Sequence, residues 1–201
     1  MRGAGSGPAR GRPFVVAVGA LRRRPGSRLE VAVEGVLSDH DLRVTNAWVP
    51  DGAAVGFSGT LESAIGGVTV SGTVRSQWEG TCRRCLDTAK GELDIRVREL
   101  CVDDPDPELG YGVGSEWLDL EPILHDSVIL ELPLAPLCLE ACRGLCPQCG
   151  ANRNREACSC EVPADPRWAA LVDLVSEGPQ VGQATGTSKG SDDGRPEEED
   201  V

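Results

Sequence analysis

Six of the chain's nine cysteines fall within 23 residues, as Cys138, Cys142, Cys146, Cys149, Cys158 and Cys160. Thiolates crowded this closely in sequence need a common partner, and a soft cation with tetrahedral preference such as Zn²⁺ is the usual one. The strongest part is Cys146-Pro147-Gln148-Cys149-Gly150. Two thiolates two residues apart can hold one ion while a tight turn closes between them. A glycine just after the second lets the backbone turn left-handed, so that N–H groups aim at the sulfurs. Cys158 and Cys160, one residue apart, offer the other half of a tetrahedron.

A further pair lies upstream in Cys82-Arg83-Arg84-Cys85. The eight thiols Cys82, Cys85, Cys138, Cys142, Cys146, Cys149, Cys158 and Cys160 thus form four close pairs, enough for two closed four-thiolate sites. One partition joins Cys146/Cys149 to Cys158/Cys160 and folds Cys138/Cys142 back onto Cys82/Cys85. The other puts Cys138, Cys142, Cys146 and Cys149 in one site and leaves Cys82–Cys85 a bare dithiol. The first is preferred because it leaves no reactive pair exposed. Cys101, alone in a β-prone run, reads as a small buried apolar residue.

Other chemistries find less to use. A cytosolic CxxC can be a redox dithiol, but that chemistry belongs at a helix N-terminus after a βαβ strand, and Cys82–Cys85 lies between two strand-like runs. The two histidines, His40 and His125, sit in no H-x-E or H-E-x-x-H pattern, and all-cysteine zinc sites are closed and structural. No phosphate-binding glycine loop, dinucleotide-binding glycine motif or G-x-S-x-G is present. The expectation is a protein that is not an enzyme. The rival readings are a thiol oxidoreductase using Cys82 and Cys85, and a zinc-dependent nucleic-acid-binding regulator using the Arg-rich N-terminus.

The elements that must carry these cysteines are mostly strands. Phe14 to Val18 is a short β-prone run, and Arg22 to Ser27 a turn by its Pro25-Gly26 pair. Leu29, Val31 and Val33 alternate with Glu30, Ala32 and Glu34, the mark of a half-buried strand. Residues 35–52 are ambiguous and end in a turn at Pro50-Asp51-Gly52. Val55–Ala64 and Val68–Thr81 read as a hairpin about Gly66-Gly67, and Glu92–Val102 as a third arm, with Cys82–Cys85 in the turn before it. Residues 103–116 read as an acidic flexible loop. Leu120, Ile123, Leu124 and Val128 then follow a helical period, with Asp119 as cap, Pro122 in the first turn and Pro133 as the stop. A short helix is expected after Asp165-Pro166, with Trp168, Leu171, Val172 and Val175 as its apolar stripe.

Charge and length bound the rest. With 201 residues the chain can bury one real core. Its net charge of −12 is uneven. Residues 1–28 hold seven Arg and no acid, whereas residues 29–176 hold 11 basic and 25 acidic residues. An acidic middle of this kind is a poor general phosphate binder. The apolar run Phe14–Leu21 meets Arg22-Arg23-Arg24-Pro25 instead of a small-residue cleavage site, and no run approaches the ~20 apolar residues that cross a bilayer. A cytoplasmic protein in a reducing compartment is expected, its thiols binding metal or free.

Larger blocks resemble a known family. Leu130-Glu131-Leu132-Pro133-Leu134-Ala135-Pro136-Leu137-Cys138 and Cys142-Arg143-Gly144-Leu145-Cys146-Pro147-Gln148-Cys149-Gly150-Ala151-Asn152 resemble the bacterial YceD-like family, large ribosomal RNA subunit accumulation proteins. Cys82-Arg83-Arg84-Cys85-Leu86 is similar to that family's CxRCL-type turn, Leu118 to Glu121 to the start of its middle helix, and Asp165 to Leu171 to its closing helix. The resemblance runs from about Val68 to Val175. It implies a role without catalysis in the accumulation or processing of large-subunit (23S) ribosomal RNA, and a pre-ribosomal large-subunit partner, RNA or protein.

The expected fold is α+β: an antiparallel β-meander with a packed helix, then a C-terminal Cys-rich zinc knuckle and a short helix. The expected organisation is a disordered basic N-terminus over 1–12, sheet and helix over 13–135, a metal-binding segment with the terminal helix over 136–176, and a disordered acidic tail over 177–201.

Overall fold

The computed structural model describes residues 12–38, 42–106, 110–161 and Arg167. The basic stretch before Arg12, His40, the helix expected after Asp165 and the acidic tail lie outside the described residues.

Alternating apolar residues build six of the eight described strands into one sheet. Its strands are β2 (Arg28–Gly35), β3 (Ala47–Trp48), β4 (Val55–Ala64), β5 (Gly67–Thr81), β6 (Thr88–Val102) and β7 (Tyr111–Gly112). The order is β2-β4-β5-β6-β7, with β3 added to the far end of β5, where Ala47 faces Gly80 and Trp48 faces Glu79. The pairings β2–β4, β4–β5 and β5–β6 are antiparallel. The sheet is not wholly so, because β7 pairs parallel with β6. That strand arises inside the stretch read from its acids and glycines as a loop. Tyr111 fixes it there, its hydroxyl donating to Asp126 at 2.9 Å.

Two further local readings are corrected. The β4–β5 connection is Ile65-Gly66, with Gly66 left-handed at φ 76°, while Gly67 already pairs with Ala64. The glycine pair therefore straddles the turn and the strand. Downstream, β8 (Trp117–Asp119) pairs with β1 (Val15–Ala17) in a separate two-stranded sheet. It leads into α2 (Glu121–Glu131), whose cap residue is Leu120 and not Asp119. The Asp119 carboxylate still accepts the Glu121 N–H at 2.9 Å, which satisfies one of the orphan donors of the first turn. A short helix, α1 (Gly19–Arg22), lies between β1 and β2.

The apolar face of the sheet and α2 close on one core. Leu61, Val68, Val70 and Val74 from the sheet, with Leu120, Ile123, Leu124 and Val128 from the helix, are essentially fully buried. Burial of such side chains stabilises by ~2 kcal/mol each. Cys101 sits in this core at 0% exposure, and burial, with Glu99 nearby, pushes its thiol up to about 11. Beyond the core, β5 and β6 stay paired to Thr81 and Thr88. This long hairpin arm carries Cys82 and Cys85 on its tip.

Candidate metal centre

The turn from β5 to β6 is built by its backbone. Cys82 N–H donates to Asp87 O at 2.8 Å, and Leu86 N–H to Cys82 O at 2.9 Å. Leu86 is left-handed at φ 64°, the one non-glycine residue in that region among the described residues. The second CxxC repeats the arrangement. Cys146 N–H donates to Ala151 O at 2.8 Å and Gly150 N–H to Cys146 O at 2.9 Å, with Gly150 at φ 75°. The two knuckles share one backbone design. At the position where the second has the residue suited to a left-handed turn, the first has a leucine at a cost of ~1–2 kcal/mol.

The sulfurs gather in two groups. Cys82, Cys85, Cys138 and Cys142 form one, and Cys146, Cys149, Cys158 and Cys160 the other, each with its ligand atoms within 4.8 Å of one another. In the first, Cys82 Sγ lies 3.7 Å from Cys142 Sγ, and Cys85 Sγ 3.4 Å from Cys138 Sγ. Four sulfurs tetrahedral about Zn²⁺ at ~2.3 Å stand about 3.8 Å apart, so the spacing fits a metal and no disulfide joins them. No thiol pair is left outside a group. Cys82, Cys85 and Cys142 are buried with Ala89 in a small cluster covered by Trp78, Leu137 and Leu145. The second group is more open, with Cys149 exposed and Cys158 and Cys160 half-buried.

Three segments hold the first group shut. Arg83 N–H donates to Pro136 O at 2.9 Å and Leu145 N–H to Arg84 O at 3.1 Å, while the Arg84 guanidinium donates to Cys142 O at 2.9 Å. Asn152 and Asn154 tie the knuckles together, a role the sequence reading did not assign. Asn154 Nδ2 donates to Cys142 Sγ at 3.3 Å, Arg143 N–H to Asn154 Oδ1 at 2.7 Å, and Asn152 Nδ2 to Asp87 Oδ2 at 2.8 Å. The available signal was the N-R-N run directly behind the second CxxC, where polar side chains at fixed offsets support ligands.

These N–H groups set which thiol ionises first. Burial pushes Cys82 up, but the N–H groups of Cys138, Cys85 and Arg84 outweigh it and bring the thiol down to about 6. The N–H groups of Cys149 and Gln148 bring Cys146 down to about 6. Burial also opposes ionisation of Cys142, and the Asn154 amide and Gly144 N–H overcome it. Against this, burial and the neighbouring sulfurs push Cys85 up to about 12. Cys149 beside it, then burial, take Cys160 to about 12. Each group thus accommodates its first negative charge and resists the last. A divalent cation removes that resistance by neutralising the charge.

Positive charge also surrounds the knuckles. Of the eleven basic residues in 29–176, Arg83, Arg84, Arg143, Arg153 and Arg155 lie in these loops, all exposed. Four thiolates about one Zn²⁺ would carry two net negative charges, which arginines so placed would help to offset. Near the N-terminus four of the described arginines are engaged within the chain. Arg12 pairs with Asp119 at 3.9 Å, Arg23 with Glu116 at 3.5 Å, Arg28 with Glu62 at 3.2 Å, and Arg22 with Asp103. A cleft of about 740 Å³ on the polar face of the sheet has Glu34, Ser58, Thr73, Arg75 and Asp94 in its lining and no cysteine. Among the described residues no helix is long and apolar enough to cross a membrane.

The two groups occupy the part of the chain that known proteins share. A family profile described as large ribosomal RNA subunit accumulation protein YceD matches residues 70–175. The chain belongs to this family. The matched stretch opens within β5 and takes in all eight clustered cysteines of this YceD-family chain. An uncharacterized protein of Mycobacterium tuberculosis is 35% identical over 170 residues, 81% of this chain and 82% of the relative. One of Mycobacterium leprae is 30% identical over 186 residues, 87% and 84% of the two chains. A large ribosomal RNA subunit accumulation protein YCED homolog 1, chloroplastic, of Arabidopsis thaliana is 27% identical over 144 residues, 55% of this chain and 45% of its own. No solved structure shows a significant match to this family member.

Proposed function

We propose that this chain is a non-enzymatic factor for the accumulation or processing of large-subunit (23S) ribosomal RNA, acting in the cytoplasm by binding a pre-ribosomal particle. Cys82, Cys85, Cys138 and Cys142 hold one Zn²⁺, and Cys146, Cys149, Cys158 and Cys160 a second. When bound, the ions supply cross-links between segments that bury too little apolar surface to order themselves. The chain's own contribution is to aim its N–H groups, Asn154 and Arg84 at the sulfurs and their loops. The observation that carries the reading is that eight thiols fall into two groups of four, within the stretch that matches the YceD family.

What supports a structural role over redox chemistry is burial: Cys82 is 0% and Cys85 3% exposed, whereas an exchanging dithiol must meet a substrate sulfur. Crosslinking in cells, followed by recovery of the tagged chain and identification of both RNA and protein, tests the function. Enrichment of large-subunit precursors is expected. Recovery of promoter DNA, or of mixed disulfides with client proteins, would replace this reading with a regulator or an oxidoreductase.

A further inference from the structure

The strand β2 forms one margin of the main sheet. It pairs with β4 alone, and among the described residues no strand covers its other side. Eight residues long, it contains neither Pro nor Lys, and edges of this kind are templates for strand addition unless they are guarded. The phase of its free side follows from one bond. Ser63 N–H donates to Ser27 O at 3.0 Å, and Ser27 continues the register in which Arg28 faces Glu62. Antiparallel pairs alternate between bonded and unbonded, so odd-numbered residues of β2 bond to β4. The N–H and C=O groups of Arg28, Glu30, Ala32 and Glu34 then point outwards.

The side chains match a particular partner. Arg28, Glu30, Ala32 and Glu34 are exposed on the polar face. Leu29, Val31 and Val33 are only half-buried, at the rim of the core. From these placements we propose that β2 pairs antiparallel with β2 of a second copy of this chain, about a two-fold axis at Val31. In this register Arg28 faces Glu34 of the other copy at both ends of the pair, Glu30 faces Ala32, Leu29 faces Val33, and Val31 faces itself. The two polar faces stay on one side and the two apolar rims on the other, as one continuous sheet requires.

Charge selects that register among the possible ones. A slip of two residues in one direction sets Glu30 against Glu30. The opposite slip sets Glu30 against Glu34 twice, and like charges directly opposite repel. Each end also has an incomplete ion pair. Glu34 has no ion-pair partner among the described residues, and its neighbour on β4 is Gly56, which offers no side chain. Arg28 already holds Glu62 at 3.2 Å, and Glu34 of the second copy would complete a row of carboxylate, guanidinium and carboxylate. The charges on this edge thus disfavour the slipped registers of the self-pairing and favour this one.

Sedimentation velocity of the zinc-loaded full chain over a concentration series reads the proposal. Wild-type protein is expected to shift from monomer to dimer. Arg28→Glu should weaken the dimer about ten-fold or more, and Arg28→Glu with Glu34→Arg should recover it. Ala32→Pro removes one outward N–H without touching the ladder to β4, and is expected to stay monomeric with unchanged metal content and circular dichroism. Should that variant fail to fold, the charge pair alone decides. A wild-type chain that is monomeric throughout overturns the proposal. An Arg28→Glu variant that dimerises as tightly as wild type does so too, as does a double variant that fails to regain the dimer.

Discussion

At the scale of single residues, sulfur chemistry is controlled by a few neighbours that are not themselves ligands. Asn154 is the clearest, because its amide donates to Cys142 Sγ and favours the thiolate. Asn154→Ala is expected to speed loss of one ion to a competing chelator about ten-fold or more, with the second ion held as before. Leu86 is the strained counterpart of Gly150. Leu86→Gly removes a left-handed penalty of ~1–2 kcal/mol and adds ~0.5–1 kcal/mol of unfolded-chain entropy. The net gain is ~0–1.5 kcal/mol, read as a shift of the denaturant midpoint to higher concentration. Acid has a defined direction too. Cys82 and Cys146, depressed to about 6, favour the fold as thiolates above the ordinary thiol range, and this contribution disappears as pH falls through about 6. Cys85 and Cys160, raised to about 12, would have to give up their protons to a metal bound at neutral pH. Competition titrations across pH should therefore show zinc affinity falling with acid, more steeply below about 6, where Cys82 and Cys146 add their protons to the competition.

At the scale of elements, the long β5–β6 arm and the segment after α2 meet at the first sulfur group, through a small apolar cluster and a few backbone bonds. Cys146→Ser opens only the second group, so one ion should remain. Limited proteolysis should then cut within residues 146–161 while the sheet keeps its near-native circular dichroism. Cys85→Ser frees the arm from residues 136–145 and should expose that segment to protease as well. The elements differ in how far sequence revealed them. The period of Val68, Val70 and Val74, and that of Leu120, Ile123, Leu124 and Val128, gave β5 and α2 directly, because each has one wet and one dry face. β3, β7 and β8 have two or three residues each, too few for a period, and exist because a longer partner accepts them. The start of α2 slipped by one residue since Asp119 bonds forward to Glu121 from outside the cap position. The close pairing of cysteines was legible from spacing, whereas Asn152, Asn154 and the left-handed Leu86 depend on backbone geometry that no spacing announces.

At the scale of the whole molecule, a chain of net charge −12 concentrates positive charge at its two knuckles and pairs Arg12, Arg22, Arg23 and Arg28 with its own acids. Surface pairs of this kind contribute ~0–1 kcal/mol each, so they orient more than they stabilise. In the proposed centre cross-linking by metal would matter more, since Cys138 to Cys160 lies outside the main core and is otherwise ordered by one small apolar cluster and a few hydrogen bonds. Removing metal with a strong chelator should leave β2, β4, β5 and α2 folded and release the segment after Pro133, as read by hydrogen exchange. The most direct measurement is elemental analysis of gently purified chain, combined with a count of reactive thiols under native conditions. Two zinc ions per chain are expected, with the eight clustered thiols protected until the metal is removed. A normally folded sample that contains no metal, with those eight thiols free to react, would contradict the proposed centre.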